Sequence, residues 1–309
     1  MGLKLRITLM CKRRFGGLIL ISLVILLVAG GCGSTSTPSA ATAAPAGGQS
    51  IENKGSDTLV NLALAWAEAY AKVKPNVRIS VTGGGSGTGI AALLNGTVDI
   101  ANASRSLSEE EKAAAKAEGF EANQITVAMD AIAVIVNPSN PVSDLTIQQL
   151  SDIYTGRITN WKQVGGEDRP IVLLSRESNS GTYVYFLENV VRQGRADSTD
   201  LFSPNALLMP SSEGISNEIR QNPNAIGYDG LGYVTPDLKV IRVAAKPGGE
   251  YVMPTADTVV QGKYPIARGL YMVTRGQPTG AVADYLQWIK GPEGQAIVRQ
   301  LGFVPLQGQ

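Results

Sequence analysis

The chain has 309 residues, with 27 Lys plus Arg, 26 Asp plus Glu and no histidine. A chain this long buries a sizeable core and is more often two domains than one. Without histidine there is no Ser-His-Asp or Cys-His nucleophile and no imidazole ligand for zinc. The only cysteines, Cys11 and Cys32, provide neither a disulfide framework nor a Cys-rich metal site.

Residues 1–15 carry Lys4, Arg6, Lys12, Arg13 and Arg14 and no acid, and the apolar run GGLILISLVILLV (16–28) leads into Ala29-Gly30-Gly31-Cys32. A basic start, a short apolar stretch and small residues before a cleavage point predict a secretory signal peptide over 1–31. At about thirteen residues the run is shorter than the roughly 20 that span a bilayer. The small-small-Cys ending resembles the bacterial lipobox, with Ala29 where Leu is usual, which implies acylation of the Cys32 thiol. Removing the signal leaves 22 basic against 26 acidic residues, a net charge of −4. A mildly acidic surface argues against nucleic acid as a partner, because phosphate-backbone binding needs clustered Lys and Arg. Residues 33–50 (GSTSTPSAATAAPAGGQS) carry no charge and no large apolar side chain. Residues 32–50 are therefore expected to form a flexible tether with a reach of roughly 20–25 Å.

From Ile51 onward, strands and helices alternate. A strand precedes an apolar helix built on Leu59, Leu62, Trp66, Ala69, Tyr70 and Val73, which Pro75 stops. Val77 to Val81 reads as a strand, GGGSGTG (83–89) turns into a helix around Ile90 to Leu94, and Val98 to Ala101 is a short strand. A charged helix spans Ser108 to Ala117, and Ile125 to Val136 is a strand long enough to cross between domains. Ile171 to Leu174 is a buried strand that leads through SRESNSGT (175–182) into a helix ending near Val191. Ile215 to Arg220 reads as helix, Ala225 to Val234 as turn and strand, and Lys239 to Val243 and Tyr264 to Thr274 as strands. Helices over Val282 to Ile289 and Glu293 to Gln300 end the chain. The pattern is α/β without internal repeats. Trp66, Tyr285 and Trp288 fall at apolar helical positions and are read as core, and Asp99 as a structural residue at a strand end.

Two strand-to-helix loops carry the chemical signal. In Gly83–Gly89 the glycines permit close backbone approach, and the following helix turns free N–H groups toward the loop, an arrangement that favours an anion. A purely structural turn would have the same composition. The loop is no nucleotide P-loop, because Ile90 follows it, and no nucleophile elbow, because Thr88 stands two residues after Ser86 where that motif needs glycine. In the second loop Ser180 is an N-cap candidate, Gly181 and Thr182 offer N–H groups, and Arg176 can fork onto an oxyanion. The alternative is a simple cap at Ser180 with Arg176 paired to a surface acid. Two anion-shaped loops with no His, Cys or paired-acid machinery favour binding over catalysis.

Taken together, KGSDTLVNLALAWAEAY, ISVTGGGSGTGIAALLNGTVDIANASRSL, YTGRITNW (154–161), SRESNSGT (175–182) and NAIGYDGLGYV (224–234) resemble phosphate ABC-transporter substrate-binding proteins in content and order. The resemblance covers 51–306 and implies a two-lobed, type II periplasmic-binding-protein fold. Each lobe would be a mixed β-sheet flanked by helices, joined by crossing hinge strands. Lobe 1 would comprise 51–128 plus 260–309 and lobe 2 would comprise 129–259, with the strands at 125–136 and 264–274 as the crossings. Carried over by motif position, the phosphate ligands would be Thr58 with the backbone N–H of Leu59, Ser86, Arg176, Ser180, Gly181 and Thr182. Where some members place an aspartate, this chain has Ser104-Arg105. That removes the carboxylate able to accept a hydrogen bond from protonated phosphate and repel sulfate, so Asp57 becomes a candidate acceptor and Arg105 a candidate extra cation.

The function implied is that of a monomeric extracytoplasmic lipoprotein, anchored through Cys32 to the cell membrane. It would capture inorganic phosphate between its lobes and deliver it to an ABC-transporter permease. No catalytic residue, cofactor or metal is expected. Alternatives are another tetrahedral oxyanion (sulfate, molybdate, tungstate), a phosphate sensor, or a secreted phosphoester hydrolase, although the last needs bridging metals or an activated nucleophile and the chain shows neither His nor a dense Asp cluster. Without histidine, the pH dependence of binding is expected to follow mainly the ligand's own protonation.

Overall fold

A computed structural model of the chain describes residues 48–306, so the expected signal peptide, Cys32 and the tether up to residue 47 fall outside the described residues. Strands β1 (Gln49–Gly55), β2 (Val77–Thr82) and β3 (Ile100–Ala103) are parallel and are followed in turn by helices α1 (Val60–Val73), α2 (Ser86–Leu94) and α3 (Glu109–Ala117). Next come β4 (Ala122–Val136), β5 (Asp144–Thr146), α4 (Ile147–Tyr154), β6 (Val172–Arg176) and α5 (Gly181–Phe186), the last extended by a π-helical turn, Leu187–Val191. After β7 (Leu207–Met209), α6 (Ser212–Gln221), β8 (Ala225–Gly230), β9 (Lys239–Ala244), α7 (Ala256–Val260) and β10 (Ala267–Arg275), the helices α8 (Gly280–Lys290) and α9 (Pro292–Gln300) complete the fold.

The sheet runs β2-β1-β3-β10-β4-β8-β6-β7, with β9 beside β4 and β5 beside β9. β4 serves both ends of this order: residues 122–131 pair antiparallel with β10, and 132–136 pair with β8. Its apolar run over 131–136 is wholly buried, and a strand covered on both faces has no solvent side to mark with polar residues. The register of β4 against β10 sets Asp130 directly opposite Arg268, and directly opposed side chains share one face of the sheet.

One core cluster gathers Ile51, Leu59, Leu62, Trp66, Tyr70, Tyr285, Ile289 and Val298 beneath α1, α8 and α9. Another gathers Val134, Leu150, Tyr154, Trp161, Phe186, Tyr228 and Val243 around the far half of β4. Within it the Phe186 and Tyr228 rings stack at 3.8 Å. Trp66 and Tyr285 are fully buried, while Trp288 is only half-buried against the first cluster. No helix among the described residues is long and apolar enough to cross a membrane.

Several boundaries differ from the sequence expectation for local reasons. β1 starts at Gln49 because Gln49 and Ser50, assigned to the tether, already pair with Val77 and Arg78 of β2. α2 starts at Ser86 because Gly84 and Gly85, at φ 113° and 91°, turn the chain before it. β3 starts at Ile100, since the Asp99 carboxylate accepts the Glu52 N–H at 2.8 Å and closes the strand end structurally. β10 starts at Ala267; Tyr264 instead sends its hydroxyl to the Ile132 carbonyl at 2.8 Å. α4 was not anticipated, although Thr146 and Gln149 form a complete capping box at its start. β5 and β7, three residues each, are too short to show a period.

Candidate functional site

The loops that leave the carboxyl ends of β1, β2, β3 and β6 converge, the usual ligand position of an α/β sheet. Glycine permits the convergence. A Cβ on Gly55 (φ 145°) would lie 2.2 Å from the Asn102 carbonyl oxygen, so only glycine lets β1 turn this close to β3. Ser56 then donates its N–H to that carbonyl at 2.9 Å and its hydroxyl to Ser104 Oγ, also at 2.9 Å. Ser86, the first residue of α2, accepts the Ser104 N–H at 3.1 Å and lies 3.4 Å from Ser104 Oγ. From the other half of the sheet, Thr182 Oγ1 meets Thr58 Oγ1 at 3.0 Å, and the Gly181 backbone packs on Ser86 and Ser104. Ser180 caps α5, accepting the Thr182 and Tyr183 N–H groups, which leaves its hydroxyl hydrogen to donate. Ser56, Thr58, Ser86, Ser104, Ser180 and Thr182 are all buried.

Beside the hydroxyls lies a buried set of charges. Arg176, 1% exposed, donates from Nη2 to Asp57 Oδ2 (2.7 Å) and the Pro210 carbonyl (3.1 Å), from Nε to the Met209 carbonyl (3.2 Å) and from Nη1 to Ser212 Oγ (3.1 Å). Ser212 in turn donates to Asp229 Oδ1 at 2.8 Å, and Asp229 Oδ2 is buried without a hydrogen-bond partner among the described residues. A second pair, Arg268 and Asp130, joins β10 to β4 through Nε (3.1 Å) and Nη2 (2.9 Å) to Oδ2. Burial pushes the Asp130 carboxyl up against the opposing pull of Arg268.

Asp229 is pushed up to about 6 by burial, with Arg176 pulling the other way. Its ordinary value is 3.8, so between about 4 and 6 the folded chain holds a proton that the unfolded chain has lost. Stability conferred by this group therefore falls as pH rises through that window and levels above it, by about 3 kcal/mol in all. Asp229→Asn is expected to flatten most of this fall, read as urea midpoints from pH 4 to pH 7; parallel profiles in the two proteins would contradict it.

The sequence-nominated residues separate into two sets. Thr58, Ser86, Ser104, Ser180, Gly181 and Thr182 come together, with Arg176 and Asp57 alongside. Leu59 packs in the core, and its N–H donates to the Ser56 carbonyl at 3.0 Å. Arg105 turns away and forms a bidentate pair with Glu111, both contacts 2.7 Å. Asp57 has both oxygens engaged, Oδ1 by the Gly84 N–H at 2.9 Å and Oδ2 by Arg176. Sequence reasoning passed over Ser56, Ser212, Asp229, Asp130 and Arg268. Asp130 had a signal, being the only charge in ITVAMDAIAVIV; Arg268 has none until the strand register supplies it. A surface groove of about 1440 Å³ lies on α1 and β2 around Leu64, Ala71 and Ile79, and none of these hydroxyls lines it.

The arrangement suits holding an oxyanion: many short hydroxyl donors, a cation locked by four acceptors, and water excluded by burial. Among the described contacts, none of the six converging hydroxyls bonds a carboxylate that would activate it; the one buried hydroxyl on a carboxylate, Ser212 on Asp229, stands behind Arg176. Residues 39–293 match the PBP superfamily domain. The phosphate-binding protein PstS of Pseudomonas aeruginosa is 33% identical over 273 residues, 83% of each chain. That of Bacillus subtilis is 31% identical over 296 residues, 94% of this chain and 93% of its own. The chain belongs to the PstS family. PstS relatives are binding proteins of transport systems, not enzymes. Among solved structures, a putative phosphate ABC-transporter substrate-binding protein from Clostridium perfringens, with bound phosphate, aligns with TM-score 0.75 at 33% identity, over 84% of this chain and 100% of its own. An ABC-type phosphate transport receptor from Vibrio cholerae aligns with TM-score 0.67 at 30% identity over 83% of this chain. The curled α/β sheet with flanking helices is therefore the PstS fold.

Proposed function

We propose that this chain captures inorganic phosphate and passes it to an ABC-transporter permease from the outer side of the membrane, to which acylated Cys32 anchors it. The observation that carries this reading is the set of buried hydroxyls drawn from four loops beside Arg176. In the structure these hydroxyls bond one another; a tetrahedral oxyanion placed among them takes several hydroxyl hydrogens at once and exchanges its hydration for fixed donors. The names of the PstS relatives and the phosphate in the Clostridium protein support phosphate over other oxyanions.

Closure is proposed as the binding motion, between a lobe of 51–128 plus 260–309 and a lobe of 129–259. Contacts that cross between these segments act as latches: Arg176 to Asp57, Thr58 to Thr182, and Asn179, whose carbonyl accepts the Gly87 N–H and whose Nδ2 donates to the Gly84 carbonyl, both at 3.0 Å. Asn179→Ala retains the backbone contact and loses the side-chain one. Phosphate affinity is expected to fall about fivefold, chiefly through faster release, as befits one exposed hydrogen bond. Unchanged release kinetics by stopped flow would count against the latch.

Thermal melting tests the function itself. Phosphate in large excess over its dissociation constant is expected to raise the melting temperature, by about 3–4 kcal/mol of linkage at 100- to 1,000-fold excess. Chloride at equal ionic strength is expected to leave it in place. Equal shifts with phosphate and sulfate would favour a general oxyanion binder, and no shift with any oxyanion would contradict the reading.

A further inference from the structure

We infer that Arg268 is a second cationic ligand of the anion site, held for that task by Asp130. The inference rests on the phosphate reading and deepens it. Donor arithmetic on Arg176 motivates it. A guanidinium has five N–H donors, and Nε, both Nη2 hydrogens and one Nη1 hydrogen of Arg176 already have protein acceptors. As arranged, Arg176 has a single N–H left for an anion and cannot fork onto it.

Arg268 lies on the other side of the same hydroxyls. It is 3% exposed, and its Nη1 donates to the Ser104 carbonyl at 3.0 Å. Its Nη2 lies 3.4 Å from Thr58 Oγ1, at the long end of hydrogen bonding, and Thr58 is the hydroxyl that meets Thr182. An anion accepting from Thr58 and Thr182 therefore lies within reach of Nη2, which gains a stronger, charge-assisted acceptor. One further Nη1 hydrogen of Arg268 has no acceptor among the described residues. Arg268 also lines a cleft of about 540 Å³ with Arg105, Tyr185, Glu188 and Tyr271.

The surroundings hold that guanidinium in place. Asp130 grips it through Nε and Nη2 while its other oxygen, Oδ1, accepts the Leu231 N–H at 3.0 Å. The Tyr185 ring lies 5.9 Å from the guanidinium carbon, and the Tyr185 hydroxyl donates to the Ala267 carbonyl at 2.6 Å, next to Arg268 in the chain. A cross-strand strut between β4 and β10 would need only the Asp130 contacts; it would not need Nη1 and Nη2 directed at the Ser104 and Thr58 loops.

The test measures phosphate calorimetry on wild type, Arg268→Lys and the double variant Arg268→Met with Asp130→Leu. The double variant removes both charges together, so no buried carboxylate is left unpaired. It is expected to melt close to wild type without phosphate yet bind phosphate roughly 100-fold more weakly, the order of loss seen when one partner of a buried charged contact is removed. Arg268→Lys keeps the charge without the fork and is expected to lose about tenfold. Variants that bind within about threefold of wild type would overturn the inference. Should the double variant not fold, a crystal structure of the wild-type phosphate complex decides: an Arg268 Nη within about 3.2 Å of a phosphate oxygen supports it, and one beyond hydrogen-bond reach overturns it. A wild type that binds no phosphate overturns the proposed function, and this inference with it; a binding wild type with equally binding variants overturns this inference alone.

Discussion

Arg176→Ala is expected to weaken phosphate binding by roughly a thousandfold and to destabilise the unliganded protein by about 3–5 kcal/mol. Both effects follow from what the guanidinium holds. Its removal leaves Asp57 with only the Gly84 N–H, two carbonyls at Met209 and Pro210 without their donor, and the buried chain from Ser212 to Asp229 without a cation. The Asp57 carboxylate, left without its cation, would also repel an incoming anion, while Asp229, without the pull of Arg176, is driven toward its neutral form. Arg176→Lys separates the two effects: it restores positive charge but cannot reach four acceptors, so stability is expected to recover partly while affinity stays at least tenfold reduced. Urea unfolding and calorimetry on both variants provide the check. A stability loss under about 1 kcal/mol for the alanine variant would mean that solvent reaches these groups and the pair contributes little.

The second large effect is expected from Gly181→Ala. A Cβ at Gly181 would lie 2.3 Å from Ser86 Oγ, 2.6 Å from Ser104 Oγ and 3.0 Å from Ser86 Cβ. Gly181 opens α5, while Ser86 opens α2 and Ser104 follows β3, so the clash lies between the two proposed lobes. Alanine is also a better helix former than glycine, by about 1 kcal/mol. The unliganded variant is therefore expected to fold about as stably as wild type, while phosphate affinity drops roughly 100-fold because the closed form cannot be reached without displacing two buried serines. Binding within about threefold of wild type would show that those serines rotate away at little cost.

How much of this was legible in the sequence depends on how local each feature is. The loops at Ser86 and Ser180–Thr182 could be read because a glycine run or a Ser-Gly-Thr helix start is a short-range pattern with its own chemistry. Thr58 and Ser104 were nominated by the family resemblance, and the structure sets both among the same hydroxyls. Ser56 was passed over because a serine in a loop has no periodic signal. Arg105 was the natural guess for extra charge beside Ser104, yet the Glu111 capping box of α3 draws it away. The cation on the opposite side is Arg268, which is 138 residues from its partner Asp130 in sequence. Only the antiparallel register of β4 and β10 brings those two side chains to one face, and no local pattern encodes that pairing. Likewise, the raised Asp229 carboxyl depends on burial beneath α6 and on an oxygen left without a donor, both properties of the assembled core.

Titration calorimetry of the purified protein with phosphate and with sulfate at neutral pH tests the central claim most directly. One phosphate bound per chain, with sulfate binding far more weakly or not competing, is the expected result. No heat with phosphate and no displacement by it, or sulfate binding as tightly as phosphate, would contradict the account.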